Sequence, residues 1–119
     1  MKKLFFYFII SVFISVSVNA KYITPLNGPG VEITRYFAHK NGGVSLYISG
    51  PVLNSDGCTS AFRVYIPNDL PGKDILISSA LMAFSSGKKI GIHGSGCSTT
   101  NFWGGAVDVP IVDNLWVFP

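Results

Sequence analysis

Three short stretches of this 119-residue chain alternate between apolar and polar side chains, and one charge-free run of helix length follows them. Val31, Ile33 and Phe37 share one parity, with Glu32, Thr34 and Tyr36 on the other. Val44, Leu46 and Ile48 stand against Ser45, Tyr47 and Ser49, and Phe62, Val64 and Ile66 against Ala61, Arg63 and Tyr65. A period of two is what a strand needs when one face lies on a core and the other does not. The constraint is strong, because slipping the pairing by one residue would turn every side chain of a strand onto the wrong face.

Residues 39–43, His-Lys-Asn-Gly-Gly, supply the turn chemistry of a hairpin between the first two runs. Pairing Phe37 with Val44 sets Tyr36 opposite Ser45, Thr34 opposite Tyr47 and Glu32 opposite Ser49. Arg35 is the misfit, since it falls on the apolar parity. Residues 21–30 hold Pro25, Gly28, Pro29 and Gly30 and read as an irregular lead-in. Residues 50–60 read as a loop ending near Cys58.

A helix is expected over residues 74–86, with Asp74 as N-cap and Gly87 just past its end. Leu76, Ile77, Ala80, Leu81, Ala83 and Phe84 would cover a core-facing arc. Ile75 and Met82 fall on the opposite side among Ser78, Ser79, Ser85 and Ser86. No charge occurs from Ile75 to Ser86, so either a neighbour covers this face or small polar side chains suffice on a short helix. A fourth strand follows over 88–93 with Ile90 and Ile92 inward. Residues 94–105 form a turn-rich excursion carrying Phe102 and Trp103. Extended segments over 106–112 and 114–118 close the chain, with Pro110 marking an edge, a bulge or a break.

Three strands, a helix and two strands is the order of a five-stranded Greek-key barrel, the OB-fold. The alternative is an open α+β sandwich with one helix on a sheet.

Lys2 and Lys3 precede a run over 4–16 without a charged side chain, and Val18-Asn19-Ala20 ends it with small residues. This is the pattern of a secretory leader removed after Ala20, with no stop-transfer segment behind it, leaving one domain over 21–119 in the periplasm or outside the cell. Without Lys2 and Lys3, seven Lys and Arg face six Asp and Glu. That balance leaves no basic stripe for a phosphate backbone, so nucleic acid is not an expected partner. No membrane span is expected beyond the leader.

Cys58 and Cys97 are the two cysteines. In an oxidising compartment an even pair reads as a disulfide, with a pair of buried thiols as the alternative. A loop of this length would stabilise by about 4 kcal/mol in the chain-entropy model. No ligand spacing for a metal is present, and no cofactor is expected.

Catalytic patterns are equally sparse. Ser95 lies in Gly94-Ser95-Gly96 but lacks the spacing of a nucleophile elbow. Ser95, His93 and Asp108 could be assembled into a triad, yet three common residues make a poor case for a hydrolase. His93 reads as an outward strand histidine. No glycine-rich phosphate loop opens the helix. A non-enzymatic binding module is the better expectation.

A tyrosine recurs on the polar parity of each meander strand, as Tyr36, Tyr47 and Tyr65. Ser45 and Arg63 accompany them. Aromatic faces, hydroxyls and a guanidinium suit a saccharide, and OB-folds use this sheet face for oligosaccharides. Tyrosine is also simply a good strand former. The other reading is a protein-interaction module, an inhibitor or accessory subunit, using the helix face of Ile75 and Met82 or a sheet edge; the same helix face would also serve a homo-oligomer.

The stretch 80–93, Ala-Leu-Met-Ala-Phe-Ser-Ser-Gly-Lys-Lys-Ile-Gly-Ile-His, resembles the helix-to-strand passage of the B subunits of subtilase-cytotoxin and typhoid-toxin type. The chain is also similar to small secreted bacterial proteins with Gly-Cys on either side of such a helix. The toxin resemblance implies a secreted OB-fold assembling in rings of five and binding cell-surface glycans. The cysteine placement of those subunits is not reproduced by Cys58 and Cys97, and their sugar-contacting residues do not transfer to positions here.

Overall fold

A computed structural model describes residues 21–98 and 108–119. The expected leader over 1–20 and residues 99–107, with Phe102 and Trp103, lie outside these residues; residues 94–97, expected in a turn-rich excursion, are instead part of the strand that begins at Ile90. The described chain forms β1 (Lys21–Tyr22), β2 (Ile33–Ala38), β3 (Val44–Ile48), β4 (Arg63–Ile66), helix α1 (Lys73–Ser86), β5 (Ile90–Cys97) and β6 (Pro110–Val117). The strands make one sheet in the order β1-β5-β6-β4-β3-β2, in which β4 and β6 run parallel and the other neighbours antiparallel. The architecture of the described residues is therefore β-rich with a single helix, as expected. Laddered pairing leaves the sheet open between β1 and β2, which fits the α+β alternative. A single bridge, with Val31 and Ile90 exchanging N–H···O bonds of 2.9 and 2.8 Å, joins the approach to β2 with β5.

The inward residues of each run meet in one core of Val31, Ile33, Val44, Leu46, Ile48, Val64, Ile66, Ile90, Ile92 and Val112, capped by Ala80 and Ala83 of α1. The lead-in is less irregular than its prolines imply. Tyr22 pairs with His93, and Thr24, fully buried, accepts the Ile92 N–H on its hydroxyl at 2.9 Å. Lys21 donates to Asp56 at 2.7 Å, and Asp56 also accepts the Gly96 N–H at 2.7 Å. The Lys21 ammonium and then the Gly96 N–H hold the Asp56 carboxyl below its ordinary range. Beside this clip, Cys58 and Cys97 form the expected disulfide, their Cα atoms 5.7 Å apart.

The β2–β3 register departs from the sequence reading in an instructive way. Ile33 lies opposite Ile48 as expected, and Ser49 donates its N–H to Glu32. Past Thr34 the pairing shifts by one, to Arg35–Tyr47, Tyr36–Leu46, Phe37–Ser45 and Ala38–Val44. The turn causes the shift. His39 and Gly43 are joined by an N–H···O bond of 2.9 Å, leaving a three-residue loop whose last residue, Gly42, has φ 95°. A bulge between Ile33 and Arg35 then absorbs the extra residue.

Four further expectations are corrected. Phe62 precedes β4 and is 58% exposed, so it does not continue the inward parity of Val64 and Ile66. Helix α1 begins one residue early, with Gly72 in the left-handed conformation at the N-cap position and no side-chain cap, so Asp74 sits in the first turn instead. Leu81 and Phe84 are 46% and 41% exposed, because Ala80 and Ala83 bring the helix close to the sheet along a narrower stripe than the arc implied. Gly87 does end the helix, at φ 71°. Residues 110–117, expected in two separate extended segments, run as one strand, β6, opened by Pro110 where a ring without N–H is tolerated.

Candidate functional site

Two outward surfaces of the sheet carry aromatic and polar side chains together. The first is the face of β2, β3 and β4, where the sequence places its ligand residues. The bulge turns Arg35 outward and Tyr36 inward. Arg35 is thus no misfit: its guanidinium carbon stands 4.9 Å from the Tyr47 ring centroid, and that of Arg63, arriving from β4, stands at 5.5 Å. Contacts of this kind are worth about 0.5–1 kcal/mol each at exposed sites.

Tyr36 leaves the expected group. It lies opposite the core residue Leu46, packs on the core, and stacks on Phe84 of α1 with centroids 6.1 Å apart and planes 25° apart. Burial pushes its phenol pKa up. The three tyrosines therefore do not share a face, because a one-residue slip sends Tyr36 to the other side.

Ser45, Tyr65 and Phe37 continue the outward face, but Ser45 and Tyr65 are buried. Ser45 Oγ is 2.6 Å from His39 Nε2, and the Tyr65 hydroxyl accepts from Asn41 Nδ2 at 3.0 Å. His39 stacks near Phe37 and meets Tyr65 edge-on. These side chains tie the 39–43 loop to the sheet. Tyr47 and Arg63 are half-buried and Arg35 is exposed, so these three are the surface part of the face.

The second surface lies on β1, β5 and β6, and the sequence reading missed it. Tyr22, His93 and Asn114 stand in one cross-strand row, and Trp116 pairs with Gly91 in the row beside it. With Leu26 they line a cleft of about 300 Å³. Tyr22 meets the His93 ring at 4.9 Å and 70°, and the Trp116 ring at 6.2 Å and 83°. His93 Nδ1 and Asn114 Nδ2 both lie 3.0 Å from Asp113 Oδ1. A signal existed in the alternation of Asn114 and Trp116. What joins them to Tyr22 and His93 is the β1–β5–β6 register, which the sequence does not print.

His93 is outward as expected, and it pairs with Asp113 rather than Asp108. Asp108 accepts the Thr59 N–H at 2.8 Å, and hydrogen bonds from the Thr59 hydroxyl and N–H hold its pKa down. The Ser95, His93 and Asp108 combination is thus not assembled. Ile75 and Met82 are 72% and 48% exposed on α1, where the Ser85 and Ser86 hydroxyls donate to the Leu81 and Met82 carbonyls. No helix among the described residues is long and apolar enough to cross a membrane.

The chain matches no protein-family model, no curated protein and no solved structure.

Proposed function

We propose that this chain is an exported, non-catalytic binding module of OB-like build that takes a saccharide on the outward face of β2, β3 and β4. The observation that carries the reading is the row Arg35–Tyr47–Arg63, in which guanidinium groups from two strands flank one tyrosine. Two guanidinium groups offer paired N–H donors to ring hydroxyls and, more strongly, to a carboxylate or sulfate on a saccharide. The OB-like build is supported by β6 lying between β4 and β5, by the parallel β4–β6 pair, by the helix between β4 and β5, and by the Val31–Ile90 bridge. In such a barrel β3 and β4 are the strands whose face takes oligosaccharides. The resemblance of residues 80–93 to toxin B subunits fits the same reading. Export is supported by the leader pattern and the disulfide.

The test is a glycan array with the exported protein, followed by titration of any ligand found. Tyr47→Ala, Arg35→Ala and Arg63→Ala are each expected to weaken binding at least about tenfold while leaving the thermal midpoint near wild type. A wild-type protein that binds no saccharide on a broad array overturns the reading.

The second reading is a protein contact on α1. Four apolar side chains, Ile75, Leu81, Met82 and Phe84, are exposed there, and the serine hydroxyls beside them are turned back onto the helix. Met82→Glu would bury a charge in such a contact and break a self-associated form into monomers. Sedimentation showing the wild type monomeric at high concentration removes self-association from consideration.

A further inference from the structure

We infer that the cleft on β1, β5 and β6 is a separate subsite for one neutral pyranose ring, with Trp116 as its floor; it borrows from the saccharide reading only the class of ligand. Four features of the geometry point there. The indole of Trp116 lies across Gly91: a Cβ added at Gly91 would collide with Trp116 Cε2, Cζ2 and Nε1. The indole thus lies against the β5 backbone at Gly91 and also lines the cleft. Glycine opposite tryptophan lays the ring down as a platform, which the apolar C–H face of a sugar can cover.

Tyr22 stands nearly perpendicular to that floor and forms a wall, and exposed Leu26 completes the apolar rim. A cleft of about 300 Å³ is at the lower end of small-ligand sites, sized for a single ring.

The polar rim selects the chemistry. Asp113 Oδ1 is 3.0 Å from both His93 Nδ1 and Asn114 Nδ2, which are themselves 3.2 Å apart; a hydrogen bond from His93 to the carboxylate requires the tautomer with the proton on Nδ1, in which both nitrogens donate to Asp113. His93 Nε2 and Asn114 Oδ1 are then left as acceptors, with no partner among the described residues. Two acceptors at the edge of an aromatic floor call for a ligand rich in hydroxyl donors. The Asp113 carboxylate disfavours an acidic sugar here, in contrast to the arginine-flanked face of β2–β4. A neutral pyranose meets both demands.

The experiment is an NMR titration of the exported protein with methyl glycosides of glucose, galactose, mannose and N-acetylglucosamine. Concentrations run to about 50 mM, past the millimolar range expected for one exposed ring. The Trp116 indole N–H, assigned from its loss in Trp116→Phe, should shift saturably with at least one of them. Trp116→Ala is expected to weaken that binding about tenfold or more. Asn114→Leu, a change at an exposed position that cannot unfold the core, should weaken it as well.

Unchanged affinity in both variants overturns the subsite, as does the absence of any Trp116 shift across the panel. If array ligands still bind and are lost in Tyr47→Ala, the subsite falls while the general saccharide reading stands. If neutral glycosides shift Trp116 while Tyr47→Ala and Arg35→Ala change nothing, the subsite stands and the β2–β4 face is the part that falls.

Discussion

The Tyr65 ring occupies the space in which a side chain at Gly43 would stand: a Cβ added there lies 2.5 Å from Oη and 2.6 Å from Cε1. Tyr65 is buried and its hydroxyl accepts from Asn41, so the ring cannot swing away without giving up that bond. Gly43→Ala is therefore expected to destabilise the fold by about 1–3 kcal/mol, the usual range for overpacking. Chemical denaturation checks it, and Gly42→Ala is a useful companion. Position 42 has room but a φ of 95°, so its cost would come from backbone strain instead.

Tyr36 belongs to the core and not to a ligand face. Tyr36→Ala is expected to lower stability by about 2 kcal/mol, below the cost of a fully buried aromatic because Tyr36 is half-buried. It should leave any saccharide affinity of the folded protein unchanged. Comparing its denaturation curve and binding isotherm with those of Tyr47→Ala separates the two roles.

The Cys58–Cys97 bond closes a loop spanning 39 residues and ties the segment before β4 to the end of β5. Replacing both cysteines by alanine should cost about 2–4 kcal/mol, mostly through greater freedom of the unfolded chain. Urea unfolding of the oxidised protein and of the double variant gives the difference. Non-reducing peptide mapping of the native protein should find no alkylatable thiol.

Acid should weaken the fold in two windows. Burial lowers the His39 pKa from its ordinary 6.5, so the folded protein favours neutral imidazole. Below 6.5 the unfolded chain binds more protons at this residue, and stability present above that pH is lost as pH falls toward the folded pKa. Asp56 and Asp108 are held below their ordinary 3.8, so their contribution disappears only at lower pH. The thermal midpoint should be level above about pH 7 and decline below about pH 6.5, with a flatter profile in His39→Gln.

The amino-acid sequence set the inward faces of β3, β4 and β5, because alternation and burial are the same local fact there: Leu46, Val64, Ile66, Ile90 and Ile92 are all fully buried. It also determined the helix end at Gly87 and the pairing of the two cysteines, where residue type leaves few choices. Long-range strand pairing set which outward side chains meet. The 39–43 turn sets the β2–β3 register from one end and the Ile33–Ile48 pair sets it from the other, and the bulge at Thr34 reconciles them. That single extra residue brings Arg35 to Tyr47 and sends Tyr36 to Phe84. The cleft of Tyr22, His93, Asn114 and Trp116 is drawn from strands far apart in the chain, so its composition depends on long-range register. Local patterning sets which way a side chain faces only along an unbroken strand, whereas bulges and the neighbours across a sheet are fixed by hydrogen-bond ladders that the pattern does not encode.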